Sequence, residues 1–394
     1  MNTKEKIKKN VLFVVDERRM GGVSVLLEDM MNMINLNKYN IDILSLHNNG
    51  EMLENLPKGV NLIFGTSYFD AVDYTYKEVI KTCNPFFILK KICIVLDMKF
   101  GTIEKKIRKQ RSKILNKKYD VEIAFKDGFT ALFTAFGDSK KKIHWLHYEY
   151  KKTNPNAKYD ELFKKILPEF DEIISVSEGV KDAFNDLYHL ENKTKVIYNL
   201  VDTNKILLKS KEECNIKLNK NNLNIVSVGR LHTAKGYDRF FNVIEKLQQD
   251  GFTDRLNIDI YGDGPDYHYL KEIIKTKKID NIVSLRGKVY NPYKYIKKYQ
   301  LFVLPSNFES FGLVVIESMS LGVPVISTLT SATNRIIDDR NNGYITDNSE
   351  EGLYEGLKYL ITHPDEIIKY KENLKKYKYE NKLIVKQIED VLDK

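Results

Sequence analysis

Residues Pro305–Glu317 read PSNFESFGLVVIE and lie between two apolar stretches of different length. Leu301–Leu304 before them is a short continuous apolar run, which is typical of a buried strand, while residues 314–321 read as an apolar helix. Gly312 stands at the turn between strand and helix, where free backbone N–H groups and the positive end of the helix dipole can hold an anion. This stretch therefore predicts an α/β unit with an anion site at its turn.

Two carboxylates accompany that turn. Glu309 falls in the loop beside the anion, and Glu317 falls within the helix that follows. Because carboxylates accept hydrogen bonds from hydroxyl groups, the arrangement suits a ligand with a phosphate centre flanked by hydroxyls, such as a nucleotide sugar. Two glutamates at this spacing are often a solvated surface pair, but the apolar strand and helix around them favour a binding site.

Strand and helix patterns alternate along the whole chain, which predicts parallel sheets covered by helices on both faces. In the first half the predicted strands are 11–15, 39–46, 121–125, 143–146, 172–176 and 195–198. In the second half they are 224–228, 257–261, 282–285, 301–304 and 324–326. Residues 66–118 read least clearly, and we expect helices and mobile loops there. We place a Lys- and Asn-rich linker between residues 202 and 222.

Several motifs, in this order along the chain, resemble those of retaining glycosyltransferases of family 4, which have the GT-B fold. They are a first glycine loop at 20–23, an Arg–Lys phosphate segment at 228–236, a strand-end turn at 261–265, a nucleobase-binding strand end at 287–289 and the donor motif at 305–317. The resemblance covers most of the chain. It departs at Arg335, where the family pattern has a glutamate.

The resemblance implies an α/β GT-B fold, with two tandem Rossmann-like domains whose parallel sheets face each other across a cleft. Residues 1–200 would form the N-terminal acceptor-binding domain, and residues 201–378 the C-terminal domain that binds the nucleotide sugar. Residues 379–394 would form a helix that returns to the N-terminal domain.

The resemblance also implies roles for the donor-site residues. Glu309 would contact hydroxyls of the transferred sugar, and Glu317 would hold the ribose hydroxyls. The remaining donor contacts would be the nucleobase at Val289 and the distal phosphate at the backbone amides of Phe311, Gly312 and Leu313.

Arg230 and Lys235 follow a predicted strand at the carboxyl edge, where open sheets bind ligands. Two fixed cations there can neutralise a diphosphate leaving group as its charge develops. The alternative is an exposed strand-end arginine and an ordinary loop lysine, but the neighbouring Gly229 and Gly236, which allow close backbone approach, favour the site. His232 and Lys288 either line the site or face water.

In the first half, Gly21 and Gly22 are expected to bind the donor, although glycine is common at any strand-to-helix turn. His147 matches a family histidine near the reacting carbon and is preferred over His144. Its alternative is a partly buried histidine that only completes a hydrogen bond. With Glu309, Arg230 and Lys235, it completes the predicted catalytic set.

No metal and no cofactor are expected. The sequence contains no Asp-any-Asp triplet, through which many single-domain glycosyltransferases hold a divalent metal. Protein cations and a helix terminus would then do the work of the metal. The complete GxGxxG fingerprint of nicotinamide-dependent oxidoreductases is also missing, which argues against that class.

The composition, 42% apolar and 30% charged, is that of a soluble globular protein. The net charge is +9, and residues 104–118 contain eight basic residues against one acidic residue. Together with the apolar run that begins at residue 86, this segment (86–118) is expected to contact an anionic membrane. A solvated surface helix is the alternative, and no nucleic-acid motif accompanies the charge.

The sequence thus predicts a hexosyltransferase that moves a sugar from a UDP-linked donor to a hydroxyl of a glycan or lipid-linked acceptor, with retention, in surface polysaccharide synthesis. The alternatives are a non-hydrolysing sugar-nucleotide epimerase and a catalytically silent GT-B binding subunit. Three cysteines without paired spacing, and the lack of a signal-peptide core or a long apolar run, lead us to expect a cytoplasmic protein, peripheral on the inner face of the plasma membrane.

Overall fold

A computed structural model of the chain describes residues 8–16, 22–47, 56–72, 76–148, 150 and 160–394. It divides into two compact units, each with its own parallel sheet. The first unit comprises the residues up to Leu200 together with Asn381–Lys394, and the second comprises Val201–Glu380.

In the described part of the first unit, seven parallel strands pair in the order β3-β2-β1-β4-β5-β6-β7. They are β1 (Lys9–Val15), β2 (Tyr39–Ser45), β3 (Val60–Phe64), β4 (Val121–Ala124), β5 (Lys141–Leu146), β6 (Glu172–Ser175) and β7 (Thr194–Val196). The helices are α1 (Gly22–Met33), α2 (Tyr76–Lys81), α3 (Pro85–Lys99), α4 (Ile103–Ile114), α5 (Phe129–Ala135), α6 (Asp160–Ile166) and α7 (Glu178–Tyr188), with the C-terminal α16 (Asn381–Asp393). Lys141 Nζ donates to the carbonyl of Val391 at 2.7 Å, which ties α16 to β5.

In the second unit, six parallel strands pair in the order β10-β9-β8-β11-β12-β13. They are β8 (Leu223–Val228), β9 (Leu256–Tyr261), β10 (Val283–Gly287), β11 (Leu301–Leu304), β12 (Val325–Thr328) and β13 (Gly343–Thr346). The helices are α8 (Thr203–Lys209), α9 (Tyr237–Gln249), α10 (Tyr267–Thr276), α11 (Tyr293–Ile296), α12 (Leu313–Ser320), α13 (Thr333–Ile336), α14 (Glu350–Thr362) and α15 (Pro364–Leu374). Every residue of β11 is buried, as its continuous apolar run predicted, and every residue of β12 is buried as well.

Two Rossmann-like domains with parallel sheets are confirmed, but some element predictions were incomplete. The predicted linker after residue 202 contains α8, which Asp202 caps by accepting a hydrogen bond from the Lys205 amide at 2.9 Å. Strands β3 and β13 were missed. Strand β3 lies at the sheet edge with no fully buried residue, so its pattern is weak. None of the helices in the described part of the chain is long and apolar enough to cross a membrane.

Candidate active site

The strand order of the second sheet reverses between β8 and β11. In open α/β sheets, ligands bind outside the carboxyl ends of the strands at such a switch point. Here the loops that follow these two strands are residues 229–236 and 305–312. Most of the predicted donor residues belong to these two loops.

Lys235 and Glu309 meet at this switch point, although 73 residues separate them in the chain. Lys235 Nζ donates to Glu309 Oε2 at 2.5 Å, and Ser306 Oγ lies 3.4 Å from the same oxygen. The lysine side chain is 22% exposed and the glutamate side chain 15% exposed. The charges of Lys235 and Glu309 therefore neutralise each other in a half-enclosed position.

Hydrogen bonds that sequence reasoning missed connect the two loops. Arg239 donates to the carbonyl of Pro305 at 3.1 and 2.9 Å and to that of Ser306 at 2.9 Å. Asn307 donates from its backbone amide to the Ala234 carbonyl at 2.9 Å and from its side chain to the Thr233 carbonyl. The position of Glu309 relative to Lys235 is thus set by a braced backbone. No sequence signal separates Arg239 from an ordinary surface arginine.

Two glycines are required by close approach of the backbone. Gly236 has φ +65°, and a Cβ there would lie 2.2 Å from the carbonyl oxygen of Pro305. A Cβ at Gly262, after β9, would lie 1.8 Å from the carbonyl oxygen of Gly229. The loops at this sheet edge therefore pack against each other without room for side chains, as glycine allows.

The N-terminus of α12 lies beside Glu309. Gly312 is in the left-handed conformation (φ 80°, ψ 41°) and has no side chain with which to cap the helix. A Cβ on it would be 3.6 Å from Cγ of Glu309. Phe311 is buried and anchors the turn, and Leu313 is the first helical residue. The first backbone N–H groups of α12 can therefore donate hydrogen bonds to an anion next to the glutamate.

The other predicted residues of the second unit lie in α12, after β10 and in the loop after β8. Glu317 Oε1 accepts a hydrogen bond from the Tyr293 hydroxyl at 3.1 Å, a partner that the sequence did not predict. Val289 is partly buried after β10, and Lys288 is exposed. His232 Nδ1 accepts from the Ala234 amide at 3.2 Å, so this side chain stabilises the turn before Lys235.

Arg230 is exposed, and within the described part of the chain it makes no ion pair. Its guanidinium is therefore available to an anion from solution, unlike the ammonium of Lys235. Arg335, which stands where the family pattern has a glutamate, is exposed on α13.

In the first unit, Gly21 lies outside the described residues. Gly22 opens α1, and a Cβ there would meet no atom within 4 Å. His147 follows β5 with its ring 4.9 Å from that of Phe125, and its enclosed Nε2 has no hydrogen-bond partner among the described residues. Burial lowers the pKa of His147 to about 3, so the imidazole is neutral at physiological pH. Among the described residues, no three His, Cys, Asp or Glu side chains are grouped to hold a metal ion.

Two family models together match most of the chain. The model described as "Glycosyltransferase Family 4" matches residues 20–205, and the one described as "Glycosyl transferases group 1" matches residues 209–381. The chain belongs to glycosyltransferase family 4. The two models divide this glycosyltransferase near the boundary between its structural units.

Curated relatives of this family 4 glycosyltransferase come from several bacteria and from the archaeon Methanocaldococcus jannaschii. An uncharacterised glycosyltransferase of Haemophilus influenzae is 27% identical over 285 residues, covering 71% of this chain and 76% of the relative. The N-acetylgalactosamine-N,N'-diacetylbacillosaminyl-diphospho-undecaprenol 4-alpha-N-acetylgalactosaminyltransferase of Campylobacter jejuni is 29% identical over 216 residues. That match covers 54% of this chain and 57% of the Campylobacter enzyme.

Solved structures with the same fold cover nearly the whole of this glycosyltransferase. The HepE protein of Anabaena, in complex with UDP and glucose, superimposes with a TM-score of 0.70 at 16% identity over 98% of this chain and 99% of its own. TarM superimposes with a TM-score of 0.71 at 15% identity over 99% of this chain and 100% of its own. The GT-B fold predicted from the sequence is thus confirmed.

Proposed function

We propose that this protein is a retaining hexosyltransferase that moves a sugar from a UDP-linked donor to a hydroxyl of a glycan or lipid-linked acceptor in surface polysaccharide synthesis. The observation that carries the proposal is the contact of Lys235 with Glu309 at the switch point, beside the open N-terminus of α12. The UDP and glucose bound to HepE support the donor class, and the diphospho-undecaprenol in the name of the Campylobacter relative supports a lipid-linked acceptor.

Donor binding exchanges the partners of this pair. Lys235 leaves Glu309 and pairs with the diphosphate, and Arg230 pairs with it as well. The distal phosphate binds the first backbone amides of α12. Glu309 is then free to accept hydrogen bonds from hydroxyls of the transferred sugar. Glu317 accepts from the ribose, and the nucleobase lies near Val289.

The transfer step breaks the bond between the sugar's anomeric carbon and the diphosphate oxygen, and forms a bond from that carbon to the acceptor oxygen on the same face. The acceptor's proton passes to the departing diphosphate oxygen, so no side-chain base is consumed. Lys235, Arg230 and the α12 terminus stabilise the charge that develops on the leaving group. These groups make a metal ion and a cofactor unnecessary. His147, being neutral, contacts the donor as a hydrogen-bonding group.

We assign donor binding to the second unit together with Gly21 and Gly22, and acceptor binding to the first unit. A lipid-linked acceptor is presented at a membrane, so we place the enzyme in the cytoplasm at the inner face of the plasma membrane.

The experiment that tests the function is a thermal-shift panel of nucleoside diphosphates and their sugars, with and without EDTA. Ligands that bind only the native state raise the melting temperature, and a ligand at 100 times its Kd adds about 2.7 kcal/mol. UDP and one UDP-sugar should each raise the melting temperature by the same amount with and without EDTA. Lys235→Ala should remove the shift. No shift with any donor would overturn the proposal.

The product made from the UDP-sugar that binds should keep the anomeric configuration of the donor, as measured by NMR. Inversion would reject the retaining step.

A further inference from the structure

The solvent-facing side of α3 is apolar. Five side chains spaced three or four positions apart are strongly exposed, and we call them the α3 stripe: Phe86 (77%), Leu89 (57%), Ile92 (46%), Leu96 (43%) and Phe100 (69%), the last just after the helix. Burying such side chains is normally favourable, and a contiguous exposed set marks an interaction site.

Two of the three lysines of α3 point the other way. Lys91 is 5% exposed and donates its Nζ to the carbonyl of Val72 at 2.7 Å, and Lys90 donates to the carbonyl of Ser67 at 3.1 Å. Lys90 and Lys91 are therefore bonded inward, while the Phe, Leu and Ile side chains of the stripe face outward. Long charged side chains are rarely buried in a water-exposed helix, which indicates that the outer face of α3 does not meet water alone.

Local hydrogen bonds close both ends of α3. Asn84 caps the helix by accepting from the amides of Phe86 and Phe87 at 3.0 and 3.3 Å. At the other end, Asp97 accepts from Thr102 Oγ1 at 2.7 Å. A rotation of α3 that buried the stripe would break the hydrogen bonds of Lys90 and Lys91, so the apolar face is held outward.

Helix α4, which follows after a short turn and packs on α3, supplies unpaired positive charge. Its two arginines are satisfied within the protein, since Arg108 lies 2.9 Å from Glu104 and Arg111 lies 2.7 Å from Glu122. Its lysines are exposed and, within the described part of the chain, make no ion pair: Lys105, Lys106, Lys109 and Lys113. The charge that α4 presents to a partner is therefore carried by lysines.

We propose that the α3 stripe lies in the interface of an anionic lipid bilayer while the α4 lysines contact the lipid phosphates. At 15 residues, α3 is roughly 22 Å long and cannot cross a hydrocarbon core of about 30 Å, so it lies in the membrane plane. A second copy of the chain would cover the stripe but would add its own unpaired lysines, whereas anionic lipid matches both the apolar and the positive surface. The inference rests on the proposed function for the lipid-linked acceptor.

The test is flotation of the full chain with vesicles of phosphatidylcholine alone or mixed with phosphatidylglycerol. We expect binding to the mixed vesicles that weakens as salt is added. A stripe variant should lose binding about tenfold or more in either lipid. Its matched control removes three exposed apolar side chains elsewhere and should bind normally. The two triple variants are Phe86→Ser/Leu89→Ser/Leu96→Ser and, as control, Leu208→Ser/Ile368→Ser/Leu383→Ser.

A lysine variant should lose about tenfold or more on mixed vesicles at low salt and little on neutral ones. Its control removes the same charge from exposed lysines of the second unit and should bind normally. The two variants are Lys105→Gln/Lys106→Gln/Lys109→Gln and, as control, Lys271→Gln/Lys297→Gln/Lys298→Gln.

Three outcomes would overturn the inference: no binding to mixed vesicles, equal binding by the stripe variant and its control, or equal binding by the lysine variant and its control. A dimer in sedimentation velocity that the stripe variant converts to a monomer, without vesicle binding, would assign the face to a second copy. Donor-induced thermal shifts of the same variants should be unchanged. Failure of the proposed function would instead remove those shifts and leave vesicle binding intact.

Discussion

The two units reverse their strand order at the same topological place, and each has a lysine–carboxylate pair there. In the first unit Lys126 Nζ lies 2.9 Å from Asp16 Oδ1, between the ends of β4 and β1. In the second, Lys235 lies 2.5 Å from Glu309, between the ends of β8 and β11.

The surroundings of the two pairs differ. Next to Lys126, the buried Asp127 accepts a hydrogen bond from Tyr150 and lies 3.3 Å from the enclosed ring of His144. Next to Lys235 are glycines, an uncapped helix terminus and the exposed Arg230. The two carboxylates of the first edge, Asp16 and Asp127, are thus each paired with a side chain of the protein, while the second edge leaves donors that a ligand can take.

The largest effect that this contrast predicts is at Glu309. Glu309→Gln should lower the transfer rate about 10²–10³-fold, because the sugar hydroxyls lose a charged acceptor. The same variant should bind UDP more tightly than the native protein, since Lys235 no longer has to leave a carboxylate. Calorimetric titration with UDP measures the affinity, and the turnover number measures the rate.

Asp16→Asn is the matched control, because it breaks the corresponding pair of the first unit. It should lower the melting temperature while leaving the UDP affinity unchanged. Weaker UDP binding by Glu309→Gln, or a gain in UDP affinity by Asp16→Asn, would contradict the difference between the two edges.

The second prediction concerns the braced backbone. Gly236→Ala places a Cβ against the Pro305 carbonyl at a left-handed φ, so it should destabilise the protein by the left-handed cost of about 1–2 kcal/mol and by a clash in addition. Gly251→Ala is the control, since Gly251 has φ +78° but nothing within 4 Å of its Cβ. Chemical denaturation gives both values. Equal losses would show that the contact of the two loops does not constrain Gly236.

Much of the fold follows from local pattern. The buried strand β11 is a short apolar run, and the position of Gly312 at a strand-to-helix turn predicts an anion site without further information. What the sequence did not reveal depends on tertiary context: β3 is a half-exposed edge strand, and α8 interrupts a segment whose composition resembles a linker.

The site was predictable only where residues belong to strand ends. Lys235 and Glu309 each follow a strand of the expected sheet, so their meeting could be anticipated. Arg239 donates to the carbonyl of Pro305 and Tyr293 donates to the carboxylate of Glu317. Because these partners are distant in sequence, no local pattern predicts the two contacts. The orientation of α3 could not be predicted either. An apolar helix pattern shows which residues share a side, but it does not show that Lys90 and Lys91 turn inward.

The third prediction concerns acid stability in the first unit. Burial lowers the pKa of His147 to about 3, below its ordinary value near 6.5, so the unfolded chain binds a proton that the native state does not. The contribution of the neutral imidazole is therefore complete above pH 6.5 and is lost as the pH falls towards 3, by no more than about 1.4 kcal/mol per pH unit. Unfolding of the native protein and of His147→Gln should be compared at pH 7 and pH 4.5. The native protein should lose more stability over that interval, and equal losses would contradict the enclosed state of the ring.

The smallest expected effect is at Tyr293, whose hydroxyl lies 3.1 Å from Glu317. Tyr293→Phe removes one hydrogen bond to a carboxylate that stays partly exposed, so its cost is about 1 kcal/mol, or roughly a fivefold change in binding. If Glu317 holds the ribose in both the ground state and the transition state, that cost should appear as a higher KM for the donor with an unchanged kcat. Glu309→Gln should instead lower kcat, because the sugar changes charge during transfer and the ribose does not. A fall in kcat for Tyr293→Phe would place Glu317 at the reacting sugar rather than at the nucleoside, and a donor KM that stays unchanged would remove Tyr293 from the site.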